Sequence, residues 1–259
     1  MLLIRIIILK AVLLIATMPL YSQGPPIRLD KPLMLGSGET TARALYNYID
    51  TDRGSYSYLL LEADHNITSD IAVGVALPWL FSGIYGNNQL GDLAIMGKYQ
   101  FFRKDGMGKT TRIAAKVKQM FPTGKDLKVP VIGMGHYKTY LGGLAAYESL
   151  KIGVQAEVGY YLLPSESHFN ALSYQLGVGI PLLKPSYPAN QVNIYIEAEG
   201  MNMGSHEGSA QYGYYLAPGL QYARGRFTVE ASLQFPISQQ LHAGYERDLW
   251  LLFGGRMVL

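Results

Sequence analysis

Residues 91–125 read GDLAIMGKYQFF (91–102), RKDGMGKT (103–110) and TRIAAKVKQMFPTGK (111–125). Leu93, Ile95, Gly97, Tyr99 and Phe101 share one parity, while Asp92, Ala94, Met96, Lys98 and Gln100 share the other. Further on, Ile113, Ala115, Val117 and Phe121 alternate with Arg112, Ala114, Lys116 and Lys118. A period of two is the strand period, because successive side chains point to opposite faces of a sheet. Two Gly and one Asp between the runs supply the chemistry of a hairpin turn. One face of this hairpin is apolar and the other carries charge, and the rest of the chain repeats the pattern.

The repeats fall at 42–49, 56–65, 69–81, 91–103, 111–121 and 137–147. They continue at 151–163, 171–182, 190–203, 211–222, 226–236 and 245–258. That makes twelve, mostly long enough to cross a bilayer as tilted strands of about 9–11 residues. The cleanest is Gln191 to Glu199, where Val192, Ile194, Ile196 and Ala198 oppose Gln191, Asn193, Glu197 and Glu199. Phe227 to Phe235 follows, with Glu230 on its polar face. A soluble sandwich would put the polar parity in water, and a membrane barrel would put it in the lumen. Periodicity does not separate the two.

Composition, leader and aromatics favour the barrel. Charged residues make up 16% of 259, Tyr numbers 20 and Gly 29, and Cys is absent. Low charge with many Tyr suits an apolar outer wall with aromatic interface belts. Without Cys there are no disulfides, thiolate metal sites or Cys nucleophiles. Residues 1–22, MLLIRIIILKAVLLIATMPLYS, carry Arg5 and Lys10 and then an apolar run, as a secretory signal peptide does. An N-terminal anchor is the alternative, but the run after Lys10 is shorter than the roughly 20 residues of a spanning helix. Tyr46, Tyr48, Tyr56, Tyr58, Trp79, Tyr160, Tyr161, Tyr212, Tyr214 and Trp250 gather near strand ends, where interface belts are expected.

The expected architecture is all-β: a closed antiparallel up-and-down transmembrane barrel of about twelve strands. It divides into a signal peptide (1–22), a periplasmic N-terminal lead-in (23–41) and an outer-membrane barrel (42–259). No composition shift marks a second domain or a plug. With the N-terminus in the periplasm, connections after even-numbered strands are periplasmic. Those are the tight turns, such as Glu148-Ser149-Leu150 and Ala223-Arg224-Gly225. The longer Ser82–Leu90 and Pro122–His136 stretches then face outward, the usual asymmetry.

Gly91-Asp92-Leu93 running into Gly97-Lys98-Tyr99 resembles a strand of the bacterial outer-membrane family named for the meta-pathway of phenol degradation. Phe121-Pro122-Thr123-Gly124 and Ala76-Leu77-Pro78-Trp79 are similar to its strand ends, with Trp79 where Tyr is common. The likeness covers roughly residues 57 to 125, and is looser beyond. It implies an outer-membrane barrel of transporter type that passes hydrophobic compounds. The chain departs from many such barrels by ending Arg256-Met257-Val258-Leu259 rather than in an aromatic residue.

The lumen parity holds Glu62, Asp64, Asp92, Lys98, Arg112, Lys116, Lys118, Glu157, Glu197, Glu199 and Glu230. These charges would either set a transverse field across a pore or close a narrow lumen as a salt-bridge network. His136, His168, His206 and His242 fall in expected extracellular loops without metal-ligand spacing. Ser167-His168 and Ser205-His206 raise a lipid hydrolase as an alternative, but adjacent strand residues point opposite ways and form no dyad. Gly106-Met107-Gly108-Lys109-Thr110 lacks the first Gly of a phosphate loop, since Arg103 stands there.

The expected function is passage or capture of small molecules, hydrophobic ones included, by a monomeric outer-membrane barrel without enzymatic activity, cofactor or metal. A non-conducting structural or surface-binding barrel is the alternative, and a lipid hydrolase a third. The expected partners are outer-membrane lipid, a small solute and the barrel-insertion machinery. The 22 basic residues, two of them in the leader, nearly balance 19 acidic ones, so no basic stripe suggests nucleic acid.

Overall fold

The structure, a computed structural model, describes residues 26–32, 37–83, 88–124, 132–133, 135–164, 170–184, 190–206, 209–241 and 246–259. Among them are thirteen strands. They are β1 (Thr40–Thr51), β2 (Gly54–Asn66), β3 (Ile71–Gly83), β4 (Gln89–Leu90), β5 (Leu93–Gly106), β6 (Lys109–Phe121) and β7 (Lys138–Ser149). After them come β8 (Gly153–Leu162), β9 (Ala171–Pro181), β10 (Asn190–His206), β11 (Ser209–Arg224), β12 (Phe227–Gln240) and β13 (Arg247–Val258). β4 is a two-residue spur on β3, pairing with Trp79 and Leu80. The other twelve coincide with the twelve expected repeats.

Each long strand pairs antiparallel with its neighbours, and β1 pairs with both β2 and β13, so the sheet closes. Closure leaves no unpaired long edge, which a lipid phase would not tolerate. The apolar C-terminal stretch completes that seam: Val258 faces Thr41, and the Leu259 amide donates to the Thr40 carbonyl.

Alternation places the two parities as expected. On β5, Ile95, Tyr99 and Phe101 are 46%, 55% and 58% exposed, whereas Lys98 and Gln100 are 6% and 4% exposed. Apolar side chains thus face out and charged ones face in, the inverse of a soluble domain. A bulge between Gln100 and Phe102 puts Phe101 and Phe102 both outside.

The β5–β6 and β11–β12 turns lie at the end of the barrel where β1 begins and β13 ends. There Gly108 (φ 66°) and Gly225 (φ 60°) supply the left-handed residue of two-residue connections. The segment that imitates a phosphate loop is therefore a hairpin turn. β3 ends and β5 begins, and β6 ends and β7 begins, at the opposite end.

Two expectations change. The aromatic group splits by parity: Tyr46, Trp79 and Tyr160 are exposed on the outer wall, but Tyr58, Tyr161 and Trp250 line the lumen. Position near a strand end does not decide the face; the odd or even count along the strand does. The expected periplasmic lead-in also divides. Thr40 and Thr41 already belong to β1, and residues 26–32 cross the interior of the barrel.

Candidate functional site

The lumen is built around residues 26–32. The amides of Arg28 and Leu29 donate to the Glu197 carboxylate on β10, at 3.1 and 3.2 Å. Arg28 Nε donates to Ser232 Oγ at 3.0 Å, and its guanidinium lies 4.5 Å from the Trp250 ring centroid. Arg256 Nη2 donates to the Pro26 carbonyl at 3.2 Å, and Arg43 donates to the Ile27 carbonyl. On the far wall, Asp30 meets Lys98 Nζ on β5 at 2.9 Å and Lys116 Nζ on β6 at 3.2 Å. The segment therefore spans the lumen from β10, β12 and β13 to β5 and β6. A short irregular stretch has open backbone donors and acceptors, and the inward side chains satisfy them.

Apolar packing fixes its depth. Ile27 is fully buried with Leu45, Tyr195 and Leu252. Two inward glycines leave room for it: a Cβ on Gly219 would lie 2.6 Å from Ile27 Cδ1, and one on Gly177 would lie 3.3 Å from Leu29 Cδ1. Burial alone would raise the Asp30 pKa, but the charges of Lys98 and Lys116 overcome it and hold the carboxyl far below the ordinary range.

The expected lumen charges sort into three groups. Most join the network. Glu230 accepts from Arg43 Nε at 2.6 Å and from Arg256 Nη2 at 3.2 Å, and Arg43 also reaches Glu62 at 3.3 Å. Lys116 pairs with Glu157 at 3.0 Å, Lys98 approaches Asp64 at 3.9 Å, and Arg247 approaches Glu199 at 3.8 Å. Glu197 holds the segment's backbone instead of a cation. Two residues sit outside: Asp92 accepts from the Gly124 amide at 3.0 Å beside the long β6–β7 connection, and Arg112 pairs with Asp105 at 2.8 Å near the β5–β6 turn. Lys118 faces the lumen and, among the described residues, forms no ion pair.

Sequence reading omitted Arg43, Arg256 and Lys138, although parity with Leu45, Leu252 and Tyr140 would have placed them inside; it also omitted Arg247, whose parity is the outward one and which a register shift opposite Asp50 and Thr51 turns inward. It also omitted Arg28 and Asp30. No periodicity announces an irregular segment, and only the charges opposite them give Arg28 and Asp30 their role. His168 and His242 lie outside the described residues, as do the side chains of Ser205 and His206. Among the described residues, no three His, Asp or Glu converge as a metal site would need.

The space left beside the segment is a cavity of about 550 Å³. It touches Thr41, Asn66 and Val258 toward the end where β13 finishes and Lys138, Met203 and Arg247 toward the other. A recess of about 660 Å³ has outward side chains such as Ile113, Val158 and Leu176, so it belongs to the outer wall.

Against solved structures, an outer membrane channel from Pseudomonas putida F1 aligns over 90% of this chain and 100% of its own, with a TM-score of 0.68 at 14% identity. The fold is that of an outer-membrane barrel. A KdgM porin in complex with disordered oligogalacturonate aligns over 84% of this chain and 98% of its own, with a TM-score of 0.52 at 11% identity. No protein-family model matches the chain, and no curated protein matches it.

Proposed function

We propose that this barrel, exported by its first 22 residues and inserted as a monomer in the outer membrane, is a channel for small solutes. Residues 26–32 form its constriction. The observation that carries this reading is the cavity beside the segment, which meets inward side chains of both ends. A purely structural barrel has no need of such a space, and a small lumen can be filled by side chains alone. The lining favours small polar or charged solutes. An apolar compound would have to pass Lys98, Lys116, Glu62 and Glu230 without replacing the hydrogen bonds of water.

Planar-bilayer recording tests the reading. The full chain should give a small conductance, and Gly219→Val, which crowds Ile27, should enlarge it. Unmeasurable conductance in both would leave a scaffold or surface binder. Hydrolysis of phospholipid by the purified barrel would instead revive the hydrolase alternative.

A further inference from the structure

The half of the lumen away from Val258 has a different charge balance from the middle. Lys118, near the end of β6, and Lys138, first residue of β7, are inward diagonal neighbours, since Lys118 faces Tyr140 in the ladder. Such neighbours are roughly 7–8 Å apart, close enough to share one bound anion. Neither forms an ion pair among the described residues. Lys138 Nζ lies 4.4 Å from the Tyr161 ring centroid. Arg247, first residue of β13, stands 5.0 Å from the Tyr215 centroid and 4.9 Å from that of Trp250. Its Nη1 has no hydrogen-bond acceptor, the nearest carboxylate oxygen being Glu199 Oε1 at 3.8 Å.

Among the described residues, the one carboxylate within 4 Å of these three cations is Glu199, and they stand among the rings of Tyr58, Tyr161 and Trp250, in a cavity whose floor is residues 26–32. Elsewhere in the lumen Lys98, Lys116, Arg43 and Arg256 each have an acidic partner, while Arg28 and Lys31 of the crossing segment form no ion pair among the described residues. Half-buried like charges this close repel one another, and a ligand that neutralises them accounts for the excess.

We propose that this half of the lumen binds a small organic anion carrying a planar ring. Its carboxylate bridges Lys118 and Lys138, and its ring lies among Tyr58, Tyr161 and Trp250. The proposal deepens the channel reading by naming a solute class, and it rests on that reading only for the solute's onward passage.

The test uses the full chain in detergent, with Trp fluorescence as readout; Trp79, the second Trp, is on the outer wall, and a Trp79→Phe control leaves Trp250 as the only reporter. Benzoate should quench saturably, whereas benzyl alcohol, which lacks the charge, and acetate, which lacks the ring, should not. Lys118→Gln/Lys138→Gln should weaken benzoate binding about tenfold or more, equivalent to roughly 1.4 kcal/mol. Retention of the compact, heat-modifiable form on gels establishes that the variant is folded.

Equal quenching by benzyl alcohol or acetate overturns the proposal with the native chain alone. A folded variant that binds benzoate within about twofold of native, under roughly 0.4 kcal/mol, overturns it as well. Binding in detergent needs no conductance. A barrel that binds benzoate but never conducts keeps the site and sinks the channel, and one that conducts without saturable benzoate binding does the reverse.

Discussion

Asp30 Oδ1 accepts a hydrogen bond from Lys98 Nζ at 2.9 Å, tying a residue outside the sheet to the wall opposite the one that holds Arg28. With Glu197 gripping the Arg28 and Leu29 amides, the segment is anchored at both sides of the lumen. Asp30→Asn leaves Lys98 and Lys116 partly uncompensated and should free one anchor. Conductance should rise and become noisier in bilayers, with stability falling on the order of 1–2 kcal/mol. An unchanged trace would show that the segment is held without Asp30.

The same carboxylate sets an acid dependence. Its pKa is depressed in the folded state by Lys98 and Lys116 against burial, so its contribution is complete above the unfolded value of about 3.9 and disappears as pH falls. Native barrel should therefore keep its conductance from neutral pH to about pH 5 and lose stability below about pH 4. In Asp30→Asn this acid limb should flatten, as unfolding in detergent at stepped pH would record.

Glu230 is fully buried between Arg43 and Arg256 and also accepts from Gln221 Nε2 at 3.1 Å. Glu230→Ala leaves two guanidinium groups facing each other. Removing one partner of a buried pair costs about 3–5 kcal/mol, and a loss of that size is expected in denaturant unfolding. A loss well below it would mean that water replaces the carboxylate.

Tyr140 lies across Gly142 and Gly159, where a Cβ at either position would collide with its ring, and its hydroxyl donates to Glu157 Oε1 at 2.7 Å. Gly159→Val should displace the ring, break that bond and destabilise the barrel by about 2 kcal/mol. Lys116 should also lose orientation, because Glu157 is its partner. A shift in ion selectivity without loss of folded protein would report this second effect.

Lys118 and Lys138 place positive charge in the half of the lumen away from Val258. Neutralising both should move the reversal potential in a salt gradient toward cation preference, more so at low ionic strength where screening is weak. Neutralising the exposed Lys104 on β5 should leave it unchanged.

The sequence by itself determined the twelve long strands, their antiparallel order and the two parities of each. These follow from a period of two and from turn residues, both local properties of the chain, while low charge, many Tyr and the leader pointed to the apolar parity as the outer one. Parity also put Glu62, Lys98, Lys116, Glu157 and Glu230 in the lumen, and it held the same signal for Arg43 and Arg256. Only the tertiary structure decided who pairs with whom: Glu230 meets Arg43 from a strand 187 positions away, because closing the sheet sets β1 beside β13 and β13 beside β12. Only the tertiary structure, too, turned residues 26–32 from a lead-in into a segment that spans the lumen. An irregular segment has no periodicity to read. Its place depends on charges and glycine gaps contributed by strands on both sides of a barrel that must first be closed.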